Sequence, residues 1–229
     1  MERGEMIAIM GPSGSGKSTL LYLLAGMDTP DGGAIIFQGH NMVGLSEDEC
    51  ARLRLEQTRF VFQQMNMMVN LKLLDNILLP AVWLQKKNKK NTNHSSEQMQ
   101  REAEELMRKL GIAGLEDRKI TEVSGGQLQR ACICRALMNH PAIIYADEPT
   151  GALNRKASRE VMEEFVKLNR EGTSILMVTH DSKVAEMCDK VLYLVDGRIE
   201  GSLELGKYRP QDASLRGERM KKWLDSKEA

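Results

Sequence analysis

The sequence has no surplus of either charge: 32 Lys and Arg are matched by 32 Asp and Glu, so no basic field points to nucleic acid. It has no apolar run approaching the ~20 residues that cross a bilayer as a helix. It has no paired basic and apolar segments of a secretory signal. The chain is therefore not expected to span a membrane itself. Its four cysteines, Cys50, Cys132, Cys134 and Cys188, form no C-x-x-C pair. A zinc site is not expected, and in a reducing compartment these groups would stay thiols. Cys132 and Cys134 read as small packing residues on a helix. Aromatics make up only 4% of the chain, and none interrupts the lysine-rich stretch "KKNKKNTNHSS" at residues 86–96. That stretch reads as a solvated loop, and no nucleic-acid partner is expected. The 229 residues suffice for one large domain or two small ones.

What is present begins at once. Residues 6–10 form a short apolar run, a buried strand, leading into Gly11-Pro12-Ser13-Gly14-Ser15-Gly16-Lys17-Ser18 and on to Thr19. This fits the G-x-x-x-x-G-K-[ST] pattern of a phosphate-binding loop. Its glycines let backbone N–H groups turn inward toward phosphate oxygens. The helix expected over residues 17–27 aims its positive end at the same place. In this pattern Lys17 reaches the β- and γ-phosphates, and the Ser18 hydroxyl ligates Mg²⁺.

Helices and β-branched strands then alternate, predicting an α/β fold with a mostly parallel sheet flanked by helices. Gly26 closes the first helix, a turn-rich stretch comes next, and residues 34–38 read as a strand. Ser46 and Glu49 form a capping box opening a helix to about residue 57, after which 59–63 return to the sheet. Residues 73–85 look helical despite Pro80, which should bend the helix or sit in its first turns. Met99, Ala103, Leu106 and Leu110 recur at helical spacing. The segment from about 70 to 140 is thus expected as an inserted α-helical lobe. It ends in "VSGGQLQRACICRAL", where Ser124 and Gln127 match another capping box and Leu128, Ala131, Cys132 and Ala136 form an apolar face. Gly125 and Gly126 leave that helix N-terminus open to an anion.

The next stretch, "AIIYADEPTGALN", is a buried strand ending in two acids. Asp147 is placed to hold Mg²⁺, and Glu148 to orient and deprotonate a water facing the γ-phosphate. A further strand at 174–179 delivers His180, followed by Asp181 as a helix N-cap. That strand should lie beside the Asp147 strand, which makes His180 a γ-phosphate contact.

Together these motifs resemble the ATP-binding subunits of ABC transporters over roughly residues 4–200. The resemblance rests on the loop at Gly11–Ser18, on Gln63, on Ser124-Gly125-Gly126-Gln127 as the signature, on Asp147-Glu148 and on His180. The forms "FVFQQMN" and "DEPTGALN" look most like the macrolide and lipoprotein export branch, including peptide-antibiotic exporters. The resemblance implies a P-loop NTPase fold in a single domain. Residues 1–69 and 141–205 would form its core, about 70–140 the helical lobe and 206–229 a tail. It implies ATP and Mg²⁺ as cofactors and a head-to-tail homodimer, each ATP lying between the phosphate loop of one subunit and the signature of the other. Gln63 would touch Mg²⁺ and relay its occupancy to the helical lobe. The methionine-rich surface near 63–74 would then dock a cytoplasmic helix of a membrane permease, although Met65, Met67 and Met68 fit core packing equally well. The subunit would sit in the cytoplasm against the inner face of the membrane. A cell-division ATPase, a soluble ABC protein acting on ribosomes or DNA, and a non-hydrolysing scaffold are the rival readings.

Two positions depart from the family pattern. Val123 stands where leucine is usual, and Asn154 where the family usually has aspartate. Asn154 keeps an N-cap oxygen but loses a charge. The resemblance also implies about two strands before Gly4 carrying an aromatic that stacks on adenine. Neither is visible in these residues, so a late gene start or a fragment is expected. The triphosphate grip would remain while discrimination of ATP from GTP weakens.

Overall fold

The computed structural model describes residues 1–87 and 95–228. Most of the lysine-rich stretch expected as a loop, residues 88–94, lies outside the described residues; Lys86 and Lys87 end one helix and Ser96 opens the next.

Among the described residues, six strands form one sheet in the order β4-β5-β6-β1-β7-β8. They are β1 (Met6–Met10), β4 (Thr58–Val61), β5 (Ile143–Asp147), β6 (Ser174–Val178), β7 (Lys190–Val195) and β8 (Arg198–Glu204). All neighbours pair in parallel except β7 and β8, which are antiparallel. The unbroken apolar runs of β1 and β6 reflect burial on both sheet faces. Met6, Ala8 and Met10 join one core cluster, while Ile7 and Ile9 join the other.

The larger cluster lies on one sheet face. It unites Ile144 and Met177 with Ile77 of α3 (Leu73–Lys87), Met107 of α4 (Ser96–Lys109), Ile133 of α5 (Gly125–Leu137) and Phe165 of α6 (Arg155–Arg170). The smaller cluster packs Leu21 and Ala25, from α1 (Lys17–Leu24) and its C-cap, against Tyr145, Leu176 and Val178. Capping boxes form at Ser46/Glu49 before α2 (Glu47–Glu56) and at Ser124/Gln127 before α5, as expected, and also at Ser95/Gln98 before α4. On α4 and at its C-cap, Met99, Ala103 and Leu110 are buried as expected, Leu106 packs partly buried against the same core, and Met107 joins it fully buried. Pro80 lies in the interior of α3, not in its first turns.

One expectation needs correction. Residues 34–38 do not supply a strand to the sheet. Only Ile36–Phe37 (β2) is extended, and it pairs with His40–Asn41 (β3) in a separate two-stranded ribbon. Gln38 and Gly39 both have positive φ, 48° and 83°, the conformation that reverses a hairpin in two residues. The partner of this strand is therefore the next few residues.

The chain closes on α7 (Ser182–Ala185) and α8 (Ala213–Glu228). Arg216 fastens α8 from a buried position. Its guanidinium donates to the carbonyls of Glu186 (2.7 Å), Cys188 (2.6 Å), Leu205 (2.9 Å) and Gly206 (3.0 Å). Trp223 of the same helix meets the Tyr193 ring edge-on at 6.0 Å. Arg216→Met would keep the aliphatic stem and leave several buried carbonyls without donors, at about 1–3 kcal/mol each. Urea unfolding should therefore lose about 3 kcal/mol or more of stability. A loss under about 1 kcal/mol would contradict this role.

Candidate functional site

Three parallel strands end side by side. Their register aligns Ile9 of β1 and Asp147 of β5 with Val178 of β6. The segments leaving these strands therefore emerge on one edge of the sheet, where open α/β sheets bind ligands.

From β1 comes the glycine-rich loop. A Cβ on Gly11 would lie 1.9 Å from the Leu194 carbonyl oxygen of β7, so only glycine passes there. Gly16 is left-handed (φ 93°) and precedes α1 with no side-chain cap. The first N–H groups of α1 are thus free to face an anion. The turn after β7 braces the loop, Gly197 N–H donating to the Ser15 carbonyl at 2.9 Å. Lys17 Nζ lies along the loop, donating to the carbonyls of Gly11 (3.0 Å) and Pro12 (2.7 Å).

From β5 come the two acids. Asp147 receives two hydroxyls: Ser18 Oγ donates to Oδ1 at 3.0 Å, and Tyr22 OH donates to Oδ2 at 3.1 Å. Burial first, and then the hydrogen bond and charge of Asp147, push the Tyr22 phenol above its ordinary value. Glu148 turns out of the strand with a left-handed φ of 46°, an uncommon conformation for a non-glycine residue. Its N–H is held by the Val178 carbonyl at 3.0 Å. Its carboxylate Oε1 lies 2.9 Å from Nδ1 of His180, which leaves β6. Gln63 arrives from beyond β4. Its amide packs over Gly151, where an added Cβ would sit 3.0 Å from Gln63 Nε2 and 3.5 Å from Glu148 Cβ. Lys17, Ser18, Gln63, Asp147, Glu148 and His180 are thus gathered at one edge.

The signature does not join them. Ser124 and Gly125 are exposed at the start of α5. Among the described residues no hydrogen bond ties 124–127 to residues 11–18. Instead Gly126 lets α5 approach α6, a Cβ there lying 3.2 Å from Ala157 Cβ. Asn154 caps α6 by accepting from the Ala157 N–H at 2.9 Å.

The segment after Gln63 is held from both sides. Arg135 of α5 donates to the carbonyls of Met65 (3.0 Å) and Asn66 (2.7 Å). Buried Asn76 pins the backbone of Met68, accepting from its N–H at 2.8 Å and donating to its carbonyl at 3.1 Å. Met67 packs on the core, while Met68 and Val69 are 56% and 62% exposed. The methionines therefore divide, Met67 to the core and Met68 to the surface.

Tyr22 and Arg135 escaped the motif patterns. Tyr22 had a signal, standing four residues after Ser18 and so on the same helix face. Cys132, Cys134 and Cys188 are buried free thiols, as packing residues should be, and burial pushes the Cys132 thiol up to about 11.

Comparison with known proteins agrees. The family model for "ABC transporter" matches residues 1–151. The macrolide export ATP-binding/permease protein MacB of Campylobacter jejuni is 42% identical over 199 residues, covering 87% of this chain but 30% of that protein. The ABC transporter ATP-binding protein YxdL of Bacillus subtilis is 41% identical over 210 residues, 91% of this chain and 79% of that one. Among solved structures, the dimeric bacterial ABC transporter cassette MJ0796 aligns with a TM-score of 0.81 at 37% identity, covering 91% of this chain and 88% of that one. The same cassette in a post-hydrolysis state, bound to ADP and Pi, has a TM-score of 0.81 at 36% identity, covering 91% and 88%. The chain belongs to the ABC transporter family, as one of its ATPase domains.

Proposed function

We propose that this chain is the ATP-hydrolysing subunit of an export-type transporter, acting as a dimer and driving a membrane permease. The observation that carries the reading is the Ser18–Asp147 contact beside the Glu148–His180 pair. In it, residues 1–69 and 141–205 act as the catalytic core, about 70–140 as the helical signature lobe and 206–229 as the tail of one domain. The backbone from Gly11 through Pro12, Ser13, Gly14, Ser15 and Gly16 to Thr19 cradles the phosphates with Lys17. Glu148 accepts a proton from the attacking water. His180 orients Glu148 and faces the γ-phosphate. Ser124, Gly125, Gly126 and Gln127 contact the nucleotide held by a second copy.

Mg²⁺ fits the donors present. It favours hard oxygens, and in nucleotide sites one or two carboxylates suffice beside the phosphates. The Ser18 hydroxyl and the Asp147 carboxylate supply these, with the Gln63 amide within the same cluster. When bound, Mg²⁺ would neutralise charge across the β- and γ-phosphate oxygens.

The permease partner and export class are supported by the likeness to the macrolide exporter MacB, whose name joins ATP-binding and permease functions. This chain spans less than a third of that relative's length. No described helix is long and apolar enough to cross a membrane. Docking through a permease on the inner face of the membrane fits the likeness to that exporter, and a macrolide, peptide antibiotic or lipoprotein is the class of cargo.

Glu148→Gln should keep ATP binding and slow hydrolysis by roughly 10²–10⁴-fold, with trapped ATP holding two subunits together in size-exclusion chromatography. Unchanged turnover would remove Glu148 as the base. For docking, Met68→Glu with Val69→Glu should abolish co-purification with the permease and spare ATPase activity of the isolated subunit. Retained co-purification would move the docking surface elsewhere.

A further inference from the structure

Asp147 is held at both carboxylate oxygens, and both donors come from α1. Ser18 in the first turn takes Oδ1, and Tyr22 one turn later takes Oδ2. Under the proposed function these two hydroxyls have different duties. Ser18 Oγ can offer a lone pair to Mg²⁺ while its O–H still donates to Asp147 Oδ1, so this one hydroxyl serves both the metal and the carboxylate. Tyr22 has no such second duty.

We infer that Tyr22 is a positioning residue for the metal-holding carboxylate, fixing the plane of Asp147 through Oδ2 while Ser18, which holds Oδ1, also serves Mg²⁺. This rests on the reading of Asp147 as the residue that holds Mg²⁺. A carboxylate at a strand end turns freely about its last bond unless donors at separate oxygens fix its plane. The outer partners of metal-holding groups set this orientation. Tyr22 is built for the task from the side as well. Its ring packs on Phe60 of β4, centroids 5.4 Å apart, and Phe60 in turn lies against Phe62 at 4.3 Å and Tyr145 at 6.5 Å. The phenol therefore reaches Asp147 from a ring with few alternative positions. An ordinary phenol is protonated at neutral pH and so serves as a donor.

A plain helix-to-sheet spacer would need the ring but not the hydroxyl. Tyr22→Phe separates the two, because it keeps the Phe60 contact and removes only the donor. Affinity for a fluorescent ATP analogue, titrated with free Mg²⁺ and also measured in EDTA, gives the readout without turnover. Asp147→Asn serves as the parallel arm. The expected result for Tyr22→Phe is a Mg²⁺ midpoint raised about 10-fold, the lower end of what outer partners are worth. Metal-free nucleotide affinity and the thermal midpoint without nucleotide should stay as in the parent. A normal Mg²⁺ midpoint for Tyr22→Phe beside a shifted one for Asp147→Asn would overturn the role of Tyr22 and leave the Asp147 reading standing. Normal midpoints for both would overturn both. Metal-free affinity falling in the same proportion as metal-bound affinity would show that Tyr22 acts on the loop, and this too would reject the inference.

Discussion

The parallel alignment of β1, β5 and β6 is the constraint on which the rest of the molecule depends. Because the three strands run the same way with Ile9 and Asp147 both in register with Val178, a loop, an acid pair and a histidine far apart in sequence leave the sheet at one edge. An antiparallel neighbour would have sent one of them to the opposite edge. The large core supports this alignment from one face, through Phe165, Ile133 and Ile77, and Leu21 of α1 supports it from the other. Local strain is added at the rim, at Glu148, whose left-handed backbone swings its carboxylate onto His180.

Much of this edge was legible in the residues because its signals are local. The phosphate loop, the strand ending in Asp147 and Glu148, and the capping boxes at Ser46 and Ser124 are each complete within about ten residues. The position of His180 needed one further step, that two apolar strands lie adjacent in a parallel sheet. What stayed hidden involves side chains meeting across long separations. Tyr22 reaches Asp147 across 125 residues, and Arg135 reaches Met65 across 70. No periodicity encodes such contacts. The short ribbon at Ile36–Phe37 was missed for the opposite reason. Its turn uses Gln38 before Gly39, where asparagine or aspartate would have announced it. The division of Met67 from Met68 depended on Asn76, a buried amide that nothing in the sequence marked as a brace.

Two helix ends in this chain suit an anion, and they do not meet. The end of α1 stands at the catalytic edge with no side-chain cap. The end of α5 is capped by Ser124, opens at Gly125 and packs beside α6. An oxyanion bound at both would have to be shared with another molecule, which suits the dimeric state of the cassette relative. Arg135 and Gln63 join these regions mechanically. α5 grips the carbonyls of Met65 and Asn66, two and three residues beyond the amide that rests on Gly151 beside Glu148. Under the proposed function, a change at the γ-phosphate would have a short covalent and hydrogen-bonded route to the exposed Met68 and Val69.

The shared nucleotide is the central claim, and a mixing experiment tests it most directly. Lys17→Met disables the phosphate loop and Ser124→Arg blocks the signature, so each variant alone should hydrolyse ATP at background rate. Mixed together, the two variants form dimers in which one nucleotide site combines an intact Lys17 with an intact Ser124 from different copies, and ATPase activity should reappear. Mixtures that form dimers yet stay as inactive as either variant alone would contradict the account.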